Sequence, residues 1–269
     1  ASTELPLPSS PDAFADATWE EVLPYYQALA ARPLDAANVE QWLTDWSRLD
    51  AVVGEAGTLA MIAYTGDTAD PPKLDEQGVR LAKRLLALGW TRPDLETTLR
   101  RFRTDAEIFR EANVPLFAEL EELSATYQKI TGGLAVDWDG ERKTIPQLQP
   151  FLKSTDRATR ERAFRLGASA YLDRRDELAA LFDRMYARRT QVAANAGFAN
   201  FMEYCFAAKH RFDYTSDDVR RFHDAVEETV TPAMARLMAF RKQRLGVDVL
   251  RPWDTGVDVY REQPLRPFA

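Results

Sequence analysis

Thr131-Gly-Gly-Leu-Ala-Val-Asp-Trp-Asp-Gly-Glu-Arg-Lys-Thr-Ile145 is the stretch on which the fold class turns. Two adjacent glycines stop whatever helix precedes them. Short runs then flank Asp139-Gly140, a dipeptide suited to a two-residue hairpin turn because both positions tolerate positive φ. Outward from this point in both directions, apolar residues recur every three or four positions, the period of an amphipathic helix. The reading is an all-α, multi-helix chain with one small β-hairpin near 134–145.

Upstream, Thr18-Trp-Glu-Glu21 is a capping-box pattern that starts a helix with Trp19, Val22, Leu23, Tyr26 and Leu29 on one face. A second helix starts near Asp35, carries Val39, Trp42, Leu43, Trp46 and Leu49 as its stripe, and runs toward Tyr64 with Gly54 and Gly57 as weak points. Pro71-Pro72 opens a third segment ending near Gly89. Pro93 and Pro115 sit at first-turn positions of helices expected over about 93–112 and 115–130. Downstream, Ser154-Thr-Asp156 precedes a long Arg- and Ala-rich helical stretch over 156–196, with Gly167 or Asp173 as its break. A short aromatic helix over 198–207 follows. Thr215 to Asp218 then caps a last long helix, with Pro232 as a point of kinking. From Gly246 the chain reads as extended and Pro-rich, with Trp253, Leu265 and Phe268 as apolar anchors. The expected organisation is an N-terminal helical region, 1–130, and a second region, 131–269, with the hairpin, the long helices and the extended segment.

Of the 269 residues, 45% are hydrophobic and 29% charged, enough apolar material for a core and too much for a disordered chain. A net charge of −7 argues against a general nucleic-acid binder, which needs a basic surface for phosphates. No apolar run is long enough to span a membrane. With Cys205 as the single cysteine no internal disulfide is possible, which fits a reducing compartment, and a cytoplasmic protein is expected.

The residues that could carry chemistry are few. A helical zinc-hydrolase motif, His-Glu-x-x-His, places two imidazoles on one face with a Glu beside the metal-bound water. The two histidines here, His210 and His223, are 13 positions apart and neither opens that motif. His223 and Glu227 share a face at i, i+4, but one imidazole and one carboxylate make a weak site. Cys205 lies between Tyr204 and Phe206 and reads as a buried, inert thiol rather than half of a Cys–His pair. Asp137-Trp-Asp139-Gly140 has the wrong spacing for a calcium loop, and hairpin-turn chemistry accounts for it. From Lys153 to Arg189 ten basic and six acidic residues interleave. That pattern reads first as a solvated, ion-paired surface and second as a surface for peptide carboxylates.

One set of segments goes beyond generic helix: Asn195-Ala-Gly-Phe-Ala-Asn-Phe-Met-Glu-Tyr204, Arg211-Phe-Asp-Tyr-Thr-Ser-Asp-Asp-Val219, Val230-Thr-Pro232, Arg241, Leu245-Gly246, Leu250-Arg-Pro-Trp-Asp254 and Pro264-Leu-Arg-Pro-Phe268. Their order and spacing resemble the middle of the oligoendopeptidase F branch of the thimet-oligopeptidase-like zinc peptidases. Tyr127 to Thr144 and Asp156-Arg-Ala-Thr-Arg-Glu-Arg162 resemble it too. The resemblance implies a mainly helical enzyme of two lobes around a channel in which short peptides are cleaved. It places the two zinc-binding His, the downstream Glu ligand and the catalytic Glu in a C-terminal half beyond the residues matched here. No catalytic residue and no metal ligand therefore carries over to this chain, and zinc is expected only in the complete enzyme.

The chain so read is a non-catalytic N-terminal lobe, inactive alone, whose partners are short peptides and the missing catalytic half. It would be a truncated product, one subunit of a split enzyme, or a relative that has lost catalysis. A stand-alone helical peptide- or partner-binding protein is the competing reading. Tyr204, His210, Arg211 and Tyr214, a polar-aromatic group between helices, are the candidates to face a substrate, with structural hydrogen bonding as their alternative role.

Overall fold

The structure, a computed structural model, describes Phe14, residues 17–63 and residues 71–260. Ten α-helices and one two-stranded antiparallel sheet make up the regular structure of these residues. The helices are α1 (Trp19–Ala31), α2 (Val39–Ala63), α3 (Pro71–Ala87), α4 (Glu96–Ile108), α5 (Val114–Gly132), α6 (Gln149–Leu152), α7 (Arg157–Leu172), α8 (Arg175–Asn195), α9 (Phe201–Ala208) and α10 (Ser216–Leu245). The strands are β1 (Ala135–Trp138) and β2 (Glu141–Thr144), paired from Ala135 opposite Thr144 to Trp138 opposite Glu141. The fold class is the expected one. The hairpin turns through positive φ at both Asp139 and Gly140, and Asp137 Oδ1 accepts from the Gly140 N–H at 3.1 Å.

Local signals placed most helix ends. Glu21 accepts from the Thr18 N–H at 2.8 Å and closes the box at the head of α1. Asp218 does the same for Thr215 at 2.7 Å at the head of α10. The structure decides where the helices run on and where they break. α2 runs through Gly54, because a helix-interior glycine costs only about 1 kcal/mol and does not remove a hydrogen bond. The break between α7 and α8 falls at Asp173-Arg174 rather than at Gly167. Gly167 serves close packing: a Cβ there would meet the Leu148 side chain at 3.5 Å. α10 continues through Pro232 over 30 residues. The short aromatic helix begins at Phe201, where the Asn200 side chain caps the Glu203 N–H at 3.0 Å. Leu265 and Phe268 lie outside the described residues.

The chain divides into two compact units that are discontinuous in sequence, which a single boundary near 130 does not describe. The first holds residues up to 118 and then 190–213; the second holds 119–189 and everything from 214. In the first, Trp19, Val22, Tyr26 and Leu29 of α1 pack with Val39, Trp42, Trp46 and Leu49 of α2, Leu81 and Leu85 of α3 and Leu99 of α4, all nearly sealed from solvent. Trp42 anchors this core with a 3.1 Å hydrogen bond to the Leu29 carbonyl. In the second, Trp138 stacks on Phe151 at 4.2 Å over Leu148 and Ala163, so the hairpin is held by α6 and α7.

The second unit also contains a buried ionic knot. Asp254, fully enclosed, accepts from Arg157 Nε at 3.0 Å and Nη2 at 2.8 Å, from Arg160 Nη2 at 3.0 Å and from the Arg251 N–H at 2.9 Å. Arg160, 2% exposed, also donates to the carbonyls of Trp253, Ser154 and Thr155. The extended segment after α10 is thereby fastened to the start of α7. Arg160 corrects the reading of the Arg-rich stretch as a wholly solvated surface. No helix of the described residues is long and apolar enough to cross a membrane.

Candidate functional site

The first unit encloses a cavity of about 460 Å3 bounded by α1 to α4, the turn before α5, the head of α5 and α9. Its wall is mostly aromatic and aliphatic, with Trp46, Phe102, Phe109, Phe117 and Tyr204 among the lining residues. Amphipathic helices reach this arrangement because each large side chain needs a partner. Phe102 of α4 stacks on Trp46 of α2 at 4.9 Å, and Tyr204 of α9 meets Phe117 at 6.5 Å and Phe198 at 5.6 Å.

Two carboxylates interrupt this wall. Tyr26, buried in α1, donates its hydroxyl to Asp50 Oδ1 at 2.8 Å. Asp50 is reachable by solvent yet closely surrounded by protein, as befits a group on the wall of a recess. Its pKa is raised, first by desolvation, against the opposing pull of the Tyr26 hydroxyl and the Trp46 indole. The Tyr26 hydroxyl is pushed up as well, mainly by its own burial and secondarily by the Asp50 charge. Trp46 Nε1 is buried without a well-formed hydrogen bond.

The second carboxylate, Asp105 of α4, accepts from His210 Nε2 at 2.7 Å, while His210 Nδ1 faces Arg101 Nε at 3.4 Å. An arginine donor on Nδ1 requires that nitrogen to accept, so the proton of a neutral ring sits on Nε2 and points at Asp105. His210 terminates α9 in the left-handed region, φ 52°, where glycine is the usual occupant. The Arg211 N–H bonds back to the Phe206 carbonyl and the His210 N–H to that of Ala207, both at 2.9 Å, completing the helix stop. A non-glycine residue pays about 1–2 kcal/mol for that conformation, and the reach to Asp105 offsets it.

Of the four residues singled out from sequence, the structure brings Tyr204 and His210 to this cavity. Arg211 lies with its guanidinium 4.9 Å from the Phe206 ring. Tyr214 belongs to the second unit and is 43% exposed. Tyr26, Trp46, Asp50 and Asp105 were missed: in sequence each looks like an ordinary member of a helix. Cys205 is half-buried rather than buried. Among the described residues no three His, Cys, Asp or Glu side chains converge as a metal-ligand set. His210 Nε2 is engaged by Asp105 and its Nδ1 by Arg101, and His223 stands exposed on α10. The described donors thus do not fit a zinc ion.

Residues 151–266 match Peptidase family M3. A Bacillus anthracis protein described as an oligoendopeptidase F superposes with a TM-score of 0.80 at 22% identity, over 88% of this chain and 47% of its own. A second structure described as an oligoendopeptidase F gives 0.76 at 25% identity, over 95% of this chain and 48% of that one. PZ peptidase A, solved with an inhibitor, gives 0.75 at 22% identity, over 96% and 48%. The chain therefore spans about half the length of the solved structures it matches. No curated protein sequence matches it. The resemblance read from the segments between Tyr127 and Phe268 is borne out by these matches.

Proposed function

We propose, from the match of residues 151–266 to Peptidase family M3, that this chain is the N-terminal, non-catalytic lobe of a zinc-dependent oligopeptidase, inactive alone and completed by a catalytic half that supplies the metal ligands and the general base. Its role is to form channel wall and to limit access to short, flexible peptides.

The observation that carries this reading is an uncovered apolar stripe on α10. Phe222, Val230, Met234, Leu237 and Phe240 are 67%, 46%, 45%, 48% and 38% exposed. At 100° per residue they fall within an arc of roughly 120°, one continuous helix face. On α8, Phe182 and Tyr186 add a stacked pair that is 61% and 64% exposed. Apolar side chains grouped along one face mark an interaction surface far more often than a solvated one. The half-length match to the solved structures supports the absent half as its cover.

A quenched fluorescent oligopeptide tests the proposal. The purified chain with added zinc should not cleave it. Mixing the chain with a polypeptide that carries the His-Glu-x-x-His half of a family M3 protein should restore turnover and abolish binding of an apolar-surface dye. Zinc-dependent turnover by the chain alone, lost in His210→Ala or His223→Ala, overturns the proposal. A monodisperse monomer that binds no dye and gains nothing from the added half favours the stand-alone binding protein instead.

A further inference from the structure

We propose that the cavity of the first unit is a binding site for a small organic amine: an ammonium group on an aromatic or branched apolar body, its charge received by Asp50 and its body by the rings of α2, α4 and α9. The volume, about 460 Å3, is in the range of small-molecule sites, and the composition, an apolar wall with a few convergent polar groups, is theirs as well.

Charge accounting selects the ligand class. Two carboxylates face the cavity. Asp105 accepts from the His210 N–H at 2.7 Å, and that ring is neutral while its Nδ1 accepts from Arg101. Asp50 likewise has only a neutral donor, the Tyr26 hydroxyl at 2.8 Å. Among the described residues no cation forms an ion pair with it. The one arginine on the wall, Arg110, directs its guanidinium at backbone instead, with Nη1 at 2.7 Å from the Phe109 carbonyl and 2.9 Å from that of Glu107, and Nη2 at 3.4 Å from that of Ala196. A carboxylate on a largely ring-lined wall, with only a neutral donor beside it, can receive an incoming ammonium in a charge-assisted hydrogen bond. The aromatic walls favour a cation further, since ring faces attract positive charge.

Two further observations on the wall point to a ligand site. His210 is held in left-handed backbone at the cavity, the kind of local strain that gathers at ligand sites. Gly54 of α2 and Gly78 of α3 both line the cavity, and a Cβ at either would meet nothing within 4 Å. Packing does not require glycine at these helical positions, and their effect is to leave the space open.

Phenethylamine is the probe, with 2-phenylethanol as the neutral body of the same shape and phenylacetate as its anionic counterpart. Titration calorimetry and ligand-observed NMR on the full chain should show saturable amine binding, at least tenfold weaker binding of the alcohol and none of the anion. Asp50→Asn, which keeps an oxygen for Tyr26, should bring amine affinity down to that of the alcohol and leave the alcohol unchanged. Gly78→Leu, which fills the recess with a good helix former, should abolish both and keeps the test decisive if the Asp50 variant misfolds. Equal binding of amine and alcohol, unchanged amine binding in either folded variant, or no saturable binding at millimolar amine would overturn the proposal.

Discussion

Asp254→Asn is the substitution whose effect the structure specifies most fully. The side chain keeps its size, but the charge that two guanidinium groups share is gone. Arg157 is 41% exposed at its side chain and can turn its freed N–H groups to water. Arg160 is 2% exposed and cannot. The new amide NH2 also takes the place of one carboxylate oxygen, setting a donor against donors. If it replaces Oδ2 it faces the Arg157 Nη2 and Arg251 N–H groups now bonded there at 2.8 and 2.9 Å. Removing one partner of a buried ion pair typically costs about 3–5 kcal/mol, most of it the penalty of the stranded charge.

The carboxylate's own titration gives a second, smaller figure. Asp254 is held at about 2 against an ordinary 3.8, first by the Arg157 hydrogen bonds, with the Arg251 amide and Arg160 adding to them against desolvation. That difference corresponds to about 2 kcal/mol of preference for the charged form, and excludes the donor clash that Asn adds. Because the folded value lies below the unfolded one, this contribution is complete above about pH 4 and fades as pH falls toward 2. Urea unfolding followed by circular dichroism at 222 nm should therefore show the variant about 3–5 kcal/mol less stable at pH 7. The gap should narrow as the wild type is taken through that acid window. At roughly 2–4 °C per kcal/mol the midpoint of thermal unfolding falls by roughly 6–20 °C. Arg157→Ala should cost clearly less, since Arg160 still neutralises Asp254 and no buried cation is stranded. A loss below about 1 kcal/mol, or equal losses for Asp254→Asn and Arg157→Ala, would refute the claim that burial of Arg160 sets the magnitude.

Asn113, 2% exposed, donates to the Val192 carbonyl at 3.1 Å and accepts from Asn195 at 2.8 Å; Asn113→Ala should cost about 1–3 kcal/mol in the same unfolding assay. Gly54→Ala should raise stability by about 0.5–1 kcal/mol, because the helical backbone accepts alanine and nothing lies within 4 Å of the new methyl; a loss would show that the position is sterically constrained. Asp50→Asn should not destabilise the chain at neutral pH. Desolvation raises the folded pKa above the unfolded one, so the wild type loses stability as pH rises from about 4 through that raised value, and the variant should lack this slope in a melt series. Leu237→Gln and Phe222→Ser, on the exposed face of α10, should stay within about 0.5 kcal/mol of wild type while lowering apolar-dye fluorescence.

The helices and the hairpin were written locally, and for that reason they could be read from sequence. A capping box at Thr18 or Thr215 satisfies amides three positions away, and Asp139-Gly140 sets its own turn, so neighbouring residues suffice to place them. The family resemblance was legible in the same way, through short motifs in a fixed order. Where a residue has two possible jobs, locality fails. Gly167 signals a break but supplies a packing contact, and Arg160 looks like one more surface arginine in a run of them.

The decisive polar contacts lie beyond any local reading. Arg157 meets Asp254 across 97 positions, and Asp105 meets His210 across 105. The sequence by itself determined that this is a helical chain with one hairpin and motifs that resemble the oligopeptidases, since periodicity, caps and motif order are properties of neighbours. Only the tertiary structure decided that Asp50, held by the Tyr26 hydroxyl, faces a ring-lined recess and that Asp254 locks the extended segment to α7, because burial and counter-ions depend on which distant segments meet.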